Sequence, residues 1–591
     1  MTISISAYIG KLIEKILTAR IYKFLIDLEL YDPNQEGFMP KRNTIRYLNR
    51  LINGIKSDKQ NNLTTLCLFI DFEKAFDSIW KPGLLVKMYK MGIRGNILNL
   101  INDFLVNRKV TINVNGIVGN IRQSSDVGLP QGSALSPILF RIYLMDILTD
   151  LVNNEKINIY KFADDGTIKV TGYSTEECLA NMDLVIKSVE NWVSKNRMII
   201  NCQPDKTEMI CFSTAEKNKS LVPTSFQICG NEIKLVKQTK ALGLIIDEDL
   251  NFIEHGRAVY KKLAKKWATI CNYTHRHWGF NTQVMIQLIK TLFHSSLFYA
   301  GFIWINRKSI EEINKLYYHI LKVTIGSVFN IRTSLAEMIL GIPPIHILNQ
   351  TNLTKHYLKI IINGTPGDKL KQFIIDELHK YGEDSVMHQP LKQVMKFLLW
   401  KSKVYPTTIS EEDKQKIESL NVHEYIHLNT NSCKYTQTMM NCYVEHLWQS
   451  SIRNEFQFQG HSILPTPKVK PILIERGVPR DTEVLILSLF YENNLLNQFL
   501  NRYNPVVYPS PLCHCGIEEQ TSHHLIFRCG LVNDELKSQA YAHFQKAVGT
   551  EMAPINSNIT ILNASRNASF MKSVSAIIRS IKNTLRTEII L

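Results

Sequence analysis

Apolar residues recur every three or four positions over residues 7–30, a period that predicts an amphipathic helix near the start of the chain. The apolar positions are Ile9, Leu12, Ile13, Ile16, Leu17, Ile21, Phe24, Leu25 and Leu28. Lysine and arginine residues lie between them, so we expect the apolar face to pack against a sheet.

Short apolar runs predict the strands. Residues 65–70 form a buried strand that ends in Asp71. Residues 160–170 hold two β-prone runs on either side of Asp164-Asp165, with Gly166 directly after them, which predicts a tight hairpin carrying both acids at its turn. Further strands are predicted at 208–212 and 241–247.

Helical periodicity continues elsewhere in the chain. It predicts helices at 44–55, 82–107, 138–148, 175–197 and 282–345, and mostly helical, polar sequence from there to about 440. Pro465, Pro467 and Pro471 predict a linker or loop near 460–472.

Composition indicates a folded protein of several domains. The 591 residues are 45% hydrophobic and 21% charged, and the formal net charge is +16. That charge favours a polyanionic partner, nucleic acid or an anionic membrane surface, although a generically basic protein would show it too. We find no secretory signal and no apolar window long enough to span a membrane. Most cysteines are scattered among apolar residues, which favours a reducing compartment.

Three acids form a candidate metal site. A carboxylate at the end of an apolar strand, such as Asp71, is poorly solvated without a cation, and the adjacent Asp164 and Asp165 repel each other. An isolated Asp-Asp pair is usually a solvated turn, but a third acid changes the interpretation. We expect a βαβ-type sheet with all three at its strand ends. Carboxylates without nearby His or Cys suit Mg²⁺, and a basic chain with two such ions fits nucleotidyl transfer on nucleic acid.

Basic and small residues supply further candidates. The bent loop Gly128–Pro137 offers backbone donors and Ser133 before a helix. Lys41 and Arg42 are either phosphate contacts or an exposed pair, and Lys206 is either a functional lysine or a turn residue. A predicted helix after residue 247 tracks phosphates or is simply a solvated basic face. Its basic residues are Arg257, Lys261, Lys262, Lys265 and Lys266, and the aromatic residues between and after them are Tyr260, Trp267, Tyr273 and Trp278.

A second metal site is predicted near the C-terminus. Cys513, Cys515, His524 and Cys529 lie within twenty residues, a set that matches structural zinc better than disulfides in a reducing compartment. The C-x-C spacing is tighter than usual for zinc.

Four segments in order, 69–77, 128–133, 162–165 and 201–207, resemble the palm motifs of reverse transcriptases. The residues of these segments and the spacing between them are most similar to those of non-LTR (LINE-type, jockey-like) retrotransposons. The resemblance covers about 3–345 and resumes from Leu447-Trp448 through the Cys/His cluster, which resembles the C-terminal zinc-type motif of that family.

The resemblance implies a role for each motif residue. Asp71, Asp164 and Asp165, with the carbonyl of Phe72, would hold Mg²⁺ or Mn²⁺. Phe76 would lie under the sugar and exclude a 2′-hydroxyl. The nucleotide and template pocket would include Gln131, Gly132, Lys206 and Arg42. Leu242-Gly243 resembles the primer grip, the basic helix the thumb, and residues 35–38 the fingers.

The implied fold is α+β, a right-hand polymerase followed by a mostly helical region. The implied domains are incomplete fingers and palm (1–247), a helical thumb (248–345), a helical connector without recognisable RNase H (346–470) and a C-terminal region with the Cys/His cluster (471–591). In the family, an endonuclease domain and the first fingers strands precede the motif Arg-Pro-Ile-Ser. Residues Met1–Ser4 align with the end of that motif, so we expect the endonuclease and the first fingers strands to be absent.

The expected function is RNA-directed DNA polymerase, with an RNA template, a DNA primer or target and dNTPs as partners, no membrane partner, and a location in the nucleus or cytoplasm. The alternative is a catalytically inactive nucleic-acid-binding remnant of such an element. A group II intron maturase would need an intron-type domain after the thumb, and the Cys/His cluster argues against it.

Overall fold

The computed structural model describes residues 7–106, 108–111, 113–115, 117–123, 126–151, 154–275, 278–327, 329–364, 368–458, 466–469, 471–472, 474, 478–491, 496–548 and 558–585. Met1–Ser4 and most of the predicted linker at 460–472 lie outside these residues. The chain divides into two compact units. The first comprises Met1–Phe252 and Asn363–Gln389, and the second comprises Ile253–Ile362 and Pro390–Leu591.

The strands all lie in the first unit. They are β1 Thr64–Ile70, β2 Lys109–Val110, β3 Asn113–Val114, β4 Ile117–Val118, β5 Arg122–Gln123, β6 Ile157–Phe162, β7 Asp165–Gly172, β8 Glu208–Phe212, β9 Ser225–Ile228, β10 Asn231–Lys234, β11 Gln238–Ala241 and β12 Leu244–Asp247.

The helices run through both units. They are α1 Tyr8–Asp27, α2 Thr44–Gln60, α3 Lys81–Lys90, α4 Gly95–Leu105, α5 Ser136–Leu144, α6 Thr175–Asn196, α7 Glu216–Ser220, α8 Ile253–Cys271, α9 Thr282–Leu288, α10 Ser295–Leu297, α11 Gly301–Trp304, α12 Glu311–Ile325, α13 Thr333–Leu340, α14 Ile345–Asn363, α15 Lys369–Tyr381, α16 His388–Val404, α17 Glu411–Glu418, α18 Thr430–Cys433, α19 Gln437–Phe458, α20 Arg480–Ser488, α21 Asn497–Tyr503, α22 Ser522–Phe527, α23 Asp534–Val548, α24 Asn558–Ala564 and α25 Ala568–Leu585. A π-helical segment, Ile289–His294, joins α9 to α10.

A four-stranded sheet of order β6-β7-β1-β8 forms the centre of the first unit. Every residue of β1 is buried, because both faces of the sheet are covered. Leu66, Leu68 and Ile70 point into a core shared with α3, α5 and α6. On the other face α2 packs, where Tyr47 and Thr167 share a hydrogen bond of 2.5 Å.

The predicted βαβ arrangement is wrong, since β1 runs antiparallel to both of its neighbours. The register nevertheless brings the acids together. Ile70 pairs with Gly166, so Asp71, one residue after the end of β1, lies beside Asp165, the first residue of β7. In an antiparallel pair the end of one strand adjoins the start of the other, which explains why residues so far apart in sequence meet.

The hairpin prediction is confirmed. Phe162 pairs with Asp165, which leaves Ala163 and Asp164 as a two-residue turn between β6 and β7. Ala163 adopts φ 56°, a left-handed conformation that costs an alanine about 1–2 kcal/mol. A two-residue hairpin turn requires such a conformation at its first position, and here the glycine follows the turn instead of supplying it.

Helix α1 forms as predicted, but its predicted packing is wrong over its first half. Ile9, Leu12, Ile13 and Ile16 are between 48% and 75% exposed, while Glu14 is buried. Leu17, Ile21 and Leu25 are buried as expected. The first half therefore turns a polar stripe toward the protein, for a reason given by its contacts below.

Two elements that the sequence predicts as single are each divided in the structure. The single helix expected at 82–107 is two helices, because Gly92 takes φ 93° after α3 and ends it. The single strand expected at 241–247 is a hairpin of β11 and β12. Leu242 and Gly243 form its turn, both with positive φ.

Among its described residues, the named elements of the second unit are all helices, joined by loops and turns. Its core contains large buried aromatic residues, among them Trp304, Tyr357 and Trp448. In the described part of the chain no helix is long and apolar enough to cross a membrane.

Candidate active site and candidate metal centre

Asp71 is held at the end of β1 by the segment 199–207. Its backbone N–H donates to Thr207 Oγ1 at 3.2 Å, and Asn201 N–H donates to its carbonyl at 2.8 Å. Asn201 Nδ2 donates to the carboxylate at 3.0 Å, and Lys206 Nζ lies 3.3 Å from the same oxygen. The fourth predicted motif is thus built around Asp71, and it brings a half-exposed lysine to this acid.

The turn that carries Asp164 is clamped by Gln35. Gln35 Oε1 accepts from Ala163 N–H at 2.8 Å, and Gln35 Nε2 donates to the Ala163 carbonyl at 3.2 Å. Gly37 approaches so closely that a Cβ there would lie 2.2 Å from Ala163 N. These contacts hold Ala163 in its strained conformation, because strain persists only where the surroundings fix it.

The three acids repel one another electrostatically. Burial, then the charges of Asp164 and Asp71, raise the pKa of Asp165 to about 6, against a partly compensating effect of Lys206. The pKa of Asp164 is also raised, first by burial and also by Asp71. Like charges held close favour a bound cation, which would relieve the repulsion.

A cavity of about 920 Å³ opens in front of Asp71 and Asp164. This is the size of a pocket for a ligand such as a nucleotide. Its lining includes the predicted residues Phe72, Phe76, Gln131, Gly132 and Lys206. Two residues that the sequence did not single out, Lys11 and Lys15 of α1, also line it.

Phe76 is fixed by aromatic contacts on the cavity wall. Its ring stacks on Phe140 with centroids 4.3 Å apart and planes at 6°, and meets the edge of Phe38 at 6.1 Å. Such stacking restricts the ring to one orientation, so Phe76 presents a rigid surface to any ligand in the cavity.

Glu14 fixes the Gly128–Pro137 loop. Its Oε2 accepts from both Ser133 Oγ and Ala134 N–H at 2.8 Å, and Thr18 Oγ1 donates to the Ala134 carbonyl at 3.2 Å. The Ser133 hydroxyl, which the sequence suggested as a donor for a ligand, therefore already donates to Glu14 in the loop before α5. These contacts explain why the first half of α1 turns its polar stripe inward: Lys11, Glu14, Lys15 and Thr18 share one helical face.

Other predicted residues lie in different settings. Arg42 Nη1 donates to the carbonyls of Pro33 and Gln35, so it braces the loop that clamps the turn. Gln131 Nε2 donates to Asp77 Oδ1 at 3.1 Å. Leu242 and Gly243 form the β11–β12 turn.

The basic helix α8 belongs to the second unit. Arg257, Lys261, Lys262 and Lys265 are exposed, whereas Lys266 donates to Ser296 Oγ at 2.8 Å within its own unit. Trp267 is buried in the core and is not a surface aromatic residue, while Tyr273 and Trp278 are exposed.

The sequence places Gln35 in the fingers-like segment 35–38 without indicating its contact with the turn, and it gives Glu14 no role. Glu14 lies among apolar positions of an amphipathic helix, where a buried acid must have partners. That mismatch was the available signal.

Cys513, Cys515, His524 and Cys529 form a compact cluster in the second unit. One ligand atom from each lies within 4.8 Å of the others, and among the described residues this is the one such group of three or more found. The three aspartates are not gathered that tightly. Cys515 Sγ lies 3.2 Å from His524 Nε2, and Glu518 Oε2 lies 3.3 Å from Nδ1 of the same histidine.

Local structure explains the tight C-x-C spacing. Gly516 N–H donates to the Cys513 carbonyl at 2.8 Å, with Gly516 at φ 76°, so a turn folds Cys515 back beside Cys513. Thr521 caps α22, which carries His524, and Cys529 N–H donates to the His524 carbonyl at 2.8 Å. The hydrogen bond between the two thiols lowers the pKa of Cys529 and raises that of Cys513, so the pair shares one proton unequally.

The model of the family described as reverse transcriptase (RNA-dependent DNA polymerase) matches residues 1–246. The RNA-directed DNA polymerase from mobile element jockey of Drosophila melanogaster is 23% identical over 59% of this chain and 38% of that protein. The probable RNA-directed DNA polymerase from transposon BS of the same species is 24% identical over 44% of this chain and 28% of that protein. The chain thus spans well under half the length of these curated relatives.

A solved structure of telomerase from Candida albicans, with a fragment of telomeric RNA, is similar over 70% of this chain and 59% of that chain, at 10% identity and a TM-score of 0.32. The family match covers the sequence that carries the three aspartates and the four ordered motifs. Residues 1–246 of this chain therefore match the reverse transcriptase family model, and the two relatives to which the chain is similar are polymerases of mobile elements.

Proposed function

We propose that this chain is an RNA-directed DNA polymerase that extends a DNA 3′-hydroxyl on an RNA template. The observation that carries the proposal is the meeting of Asp71, Asp164 and Asp165 at one end of the sheet, beside a cavity of nucleotide size. The pKa values of Asp164 and Asp165 are raised there. The match of this same region to the reverse transcriptase family model supports it.

The residues present fit divalent cations, since the donor set consists of oxygens only. Asp71, Asp164 and Asp165 would hold them, with the carbonyl of Phe72. Two Mg²⁺ or Mn²⁺ ions, when bound, activate the 3′-hydroxyl and stabilise the pyrophosphate leaving group. Asn201 orients the Asp71 carboxylate, and Gln35 holds the Asp164 turn, so both acids are positioned before substrate arrives.

Nucleotide selection falls to the cavity wall. The stacked, immobile ring of Phe76 lies beneath the sugar and leaves no room for a 2′-hydroxyl. Gln131 and Gly132 line the side of the cavity that would receive the base and the template. Glu14 fixes the end of their loop through Ser133 and Ala134, which keeps both residues at the cavity wall.

Lysines supply the charge that a triphosphate needs. Lys206 is half exposed beside Asp71 and is free to turn toward a phosphate when a nucleotide enters. Lys11 and Lys15 approach the same cavity from α1, where Glu14 anchors the helix between them. Ammonium groups on short stretches of rigid helix suit phosphate oxygens.

The test is primer extension on an RNA template with Mg²⁺ or Mn²⁺, comparing wild type with Asp164→Asn. We expect DNA synthesis by the wild type and none by the variant. Asp183→Asn, which changes an exposed acid of α6, is the matched control and retains activity. Equal incorporation by wild type and Asp164→Asn would refute the enzyme assignment.

We also propose that α8 belongs to a thumb that follows the nucleic-acid backbone. Four of its basic residues are exposed and available for phosphates. Lys261→Gln with Lys262→Gln should weaken template–primer binding and reduce the slope of log affinity against log salt by about 2. Lys315→Gln, an exposed lysine of α12, should change neither quantity.

The Cys/His cluster fits structural zinc. Four N and S ligand atoms in one compact group are the usual donor set for that ion, and Glu518 orients the histidine. Metal analysis of the purified full chain should give one zinc per chain for wild type and Cys229→Ser, an exposed cysteine elsewhere. Cys529→Ser should give none, and a wild-type chain without zinc would contradict the proposal.

A further inference from the structure

Helix α15 and Asp368 before it lie in the region for which sequence predicts only a connector, yet they belong to the unit that contains the three aspartates. Asp368 caps α15 by accepting from Leu370 N–H and Lys371 N–H. The same carboxylate accepts from Arg46 Nη2 of α2, at 2.5 and 2.6 Å to its two oxygens. At the other end of α15, Ser57 Oγ of α2 donates to Glu377 at 2.6 Å. This segment is therefore fastened to α2 at two points.

Arg46 connects Asp368 to the loop that clamps the turn. Its Nε donates to Glu36 Oε2 at 3.3 Å, and Arg50 Nη1 lies 3.8 Å from the other oxygen of Glu36. Arg46, Arg50, Glu36 and Asp368 are each no more than 6% exposed. Two buried cations are balanced by two buried anions, so losing either anion leaves a charge without compensation.

Glu36 is the neighbour of Gln35, and both grip the same hairpin. Glu36 N–H donates to the Lys161 carbonyl at 2.8 Å, and Gln35 bonds both backbone groups of Ala163. The left-handed Ala163 places Asp164, and this conformation needs external support. A continuous set of contacts thus leads from Asp368 through Arg46 and the 35–36 loop to the turn.

We propose that Asp368 is a positioning residue for the metal-binding carboxylates, acting through Arg46 and the Gln35–Glu36 clamp on the turn of Asp164. The inference rests on the proposed polymerase function and deepens it, because it gives the segment after the thumb a part in catalysis. It predicts that loss of Asp368 weakens the hold on the catalytic cations as well as the fold.

The test compares Asp368→Asn with Asp376→Asn, which removes an exposed acid from the same helix. We expect the half-saturating Mg²⁺ concentration for primer extension to rise about tenfold in Asp368→Asn, as for other residues behind metal ligands. Asp376→Asn should match the wild type. A purely structural role would lower the active fraction at every Mg²⁺ concentration without moving the midpoint, and that result overturns the proposal.

Mn²⁺ binding, followed by electron paramagnetic resonance, gives a readout that needs no turnover. Asp165→Asn defines the signal of the site, and we expect Asp368→Asn to bind Mn²⁺ about tenfold more weakly than wild type. Wild type that binds Mn²⁺ at this site but extends no primer would refute the polymerase function and leave the positioning role testable. Absence of any Asp165-dependent binding would overturn both.

Asp368→Glu keeps the charge and covers the case in which Asp368→Asn does not fold, as judged by circular dichroism. Its longer side chain shifts the carboxylate by one methylene, so we expect a smaller rise in the Mg²⁺ midpoint. A folded Asp368→Glu variant with the wild-type midpoint, beside an unfolded Asp368→Asn, would mean that Asp368 serves the fold alone.

Discussion

The protein carries two sets of candidate metal ligands that contrast in every physical respect. The aspartates of the first unit are oxygen donors that face an open cavity and repel one another, so the pKa of Asp165 rises to about 6. The Cys/His set of the second unit is mostly buried and compact, with all its ligand atoms within 4.8 Å. The first arrangement leaves room for a substrate and the second leaves none, which is the general difference between catalytic and structural sites. The contrast predicts that the first set governs turnover and the second governs stability.

Removal of zinc should have the largest effect. Binding free energy of a structural zinc is folding free energy, on the order of 10 kcal/mol in small modules. A strong chelator should therefore raise hydrogen exchange across residues 511–532, with a much smaller change in β1 and β7. Equal protection of residues 511–532 with and without the chelator would break the contrast.

Asp71→Asn should come next. If Asp71 holds a catalytic cation as proposed, its loss should lower the rate of nucleotide incorporation by on the order of 10³-fold. The melting temperature should hold or rise, because the change relieves repulsion between acids. Single-turnover incorporation and thermal melting measure the two effects, and a variant that melts much earlier than wild type would assign Asp71 to the fold.

Phe76→Ala should affect selectivity. Truncating the ring opens space beneath the sugar, so preference for dNTPs over rNTPs should fall by about 10²-fold while synthesis with dNTPs continues. Competing incorporation of dNTP and rNTP measures the ratio. Phe104→Ala, away from this cavity on α4, is the control, and an unchanged ratio in Phe76→Ala would argue against the sugar contact.

Lys11→Gln with Lys15→Gln should raise KM for dNTPs about tenfold, the worth of a charge-assisted hydrogen bond, with little change in kcat. Lys23→Gln, an exposed lysine later on α1, provides the control. The result opposite to this prediction is a lower kcat at unchanged KM, which would place these lysines away from the incoming triphosphate.

We expect the smallest effect in the pH dependence of the free energy of unfolding. Asp165 has a folded pKa raised to about 6 from 3.8, so folding favours its protonated form. Stability of the metal-free protein should therefore decrease as pH rises from about 4 to about 6 and stay lower above that. In EDTA, Asp165→Asn should remove part of this decrease and melt a few degrees higher at pH 7, whereas Asp183→Asn should follow the wild type.

Much of the site could be predicted from sequence because its acids sit in strongly patterned segments. The apolar run before Asp71 and the two runs flanking Asp164-Asp165 are recognisable as strands. Pairing of β1 with β7 is then enough to bring the three acids together. Whether the two strands pair parallel or antiparallel could not be predicted, since a strand buried on both faces has the same apolar sequence in either arrangement. Gln35, Glu14 and Asp368 escaped prediction because their roles depend on partners more than a hundred residues away. The exposed apolar residues of α1 could not be predicted for the same reason. The hydrogen bonds from Ser133 and Ala134 to Glu14 turn the polar face of the helix inward, and hydrophobic periodicity does not indicate such bonds.

The first unit is assembled from two stretches of chain, Met1–Phe252 and Asn363–Gln389, with the segment 253–362 belonging to the other unit. During synthesis, the sheet and its aspartates therefore leave the ribosome long before Asp368 and α15. Bringing residues 363–389 back to the sheet closes a loop of more than a hundred residues. The chain loses conformational entropy in doing so, which opposes folding and delays the contacts of α15 with α2. A nascent chain that ends within 253–362 carries Asp71, Asp164 and Asp165 but lacks α15, the last helix of the first unit. We expect the first unit of such a chain to remain incompletely folded, so that the proposed polymerase activity requires translation past residue 389.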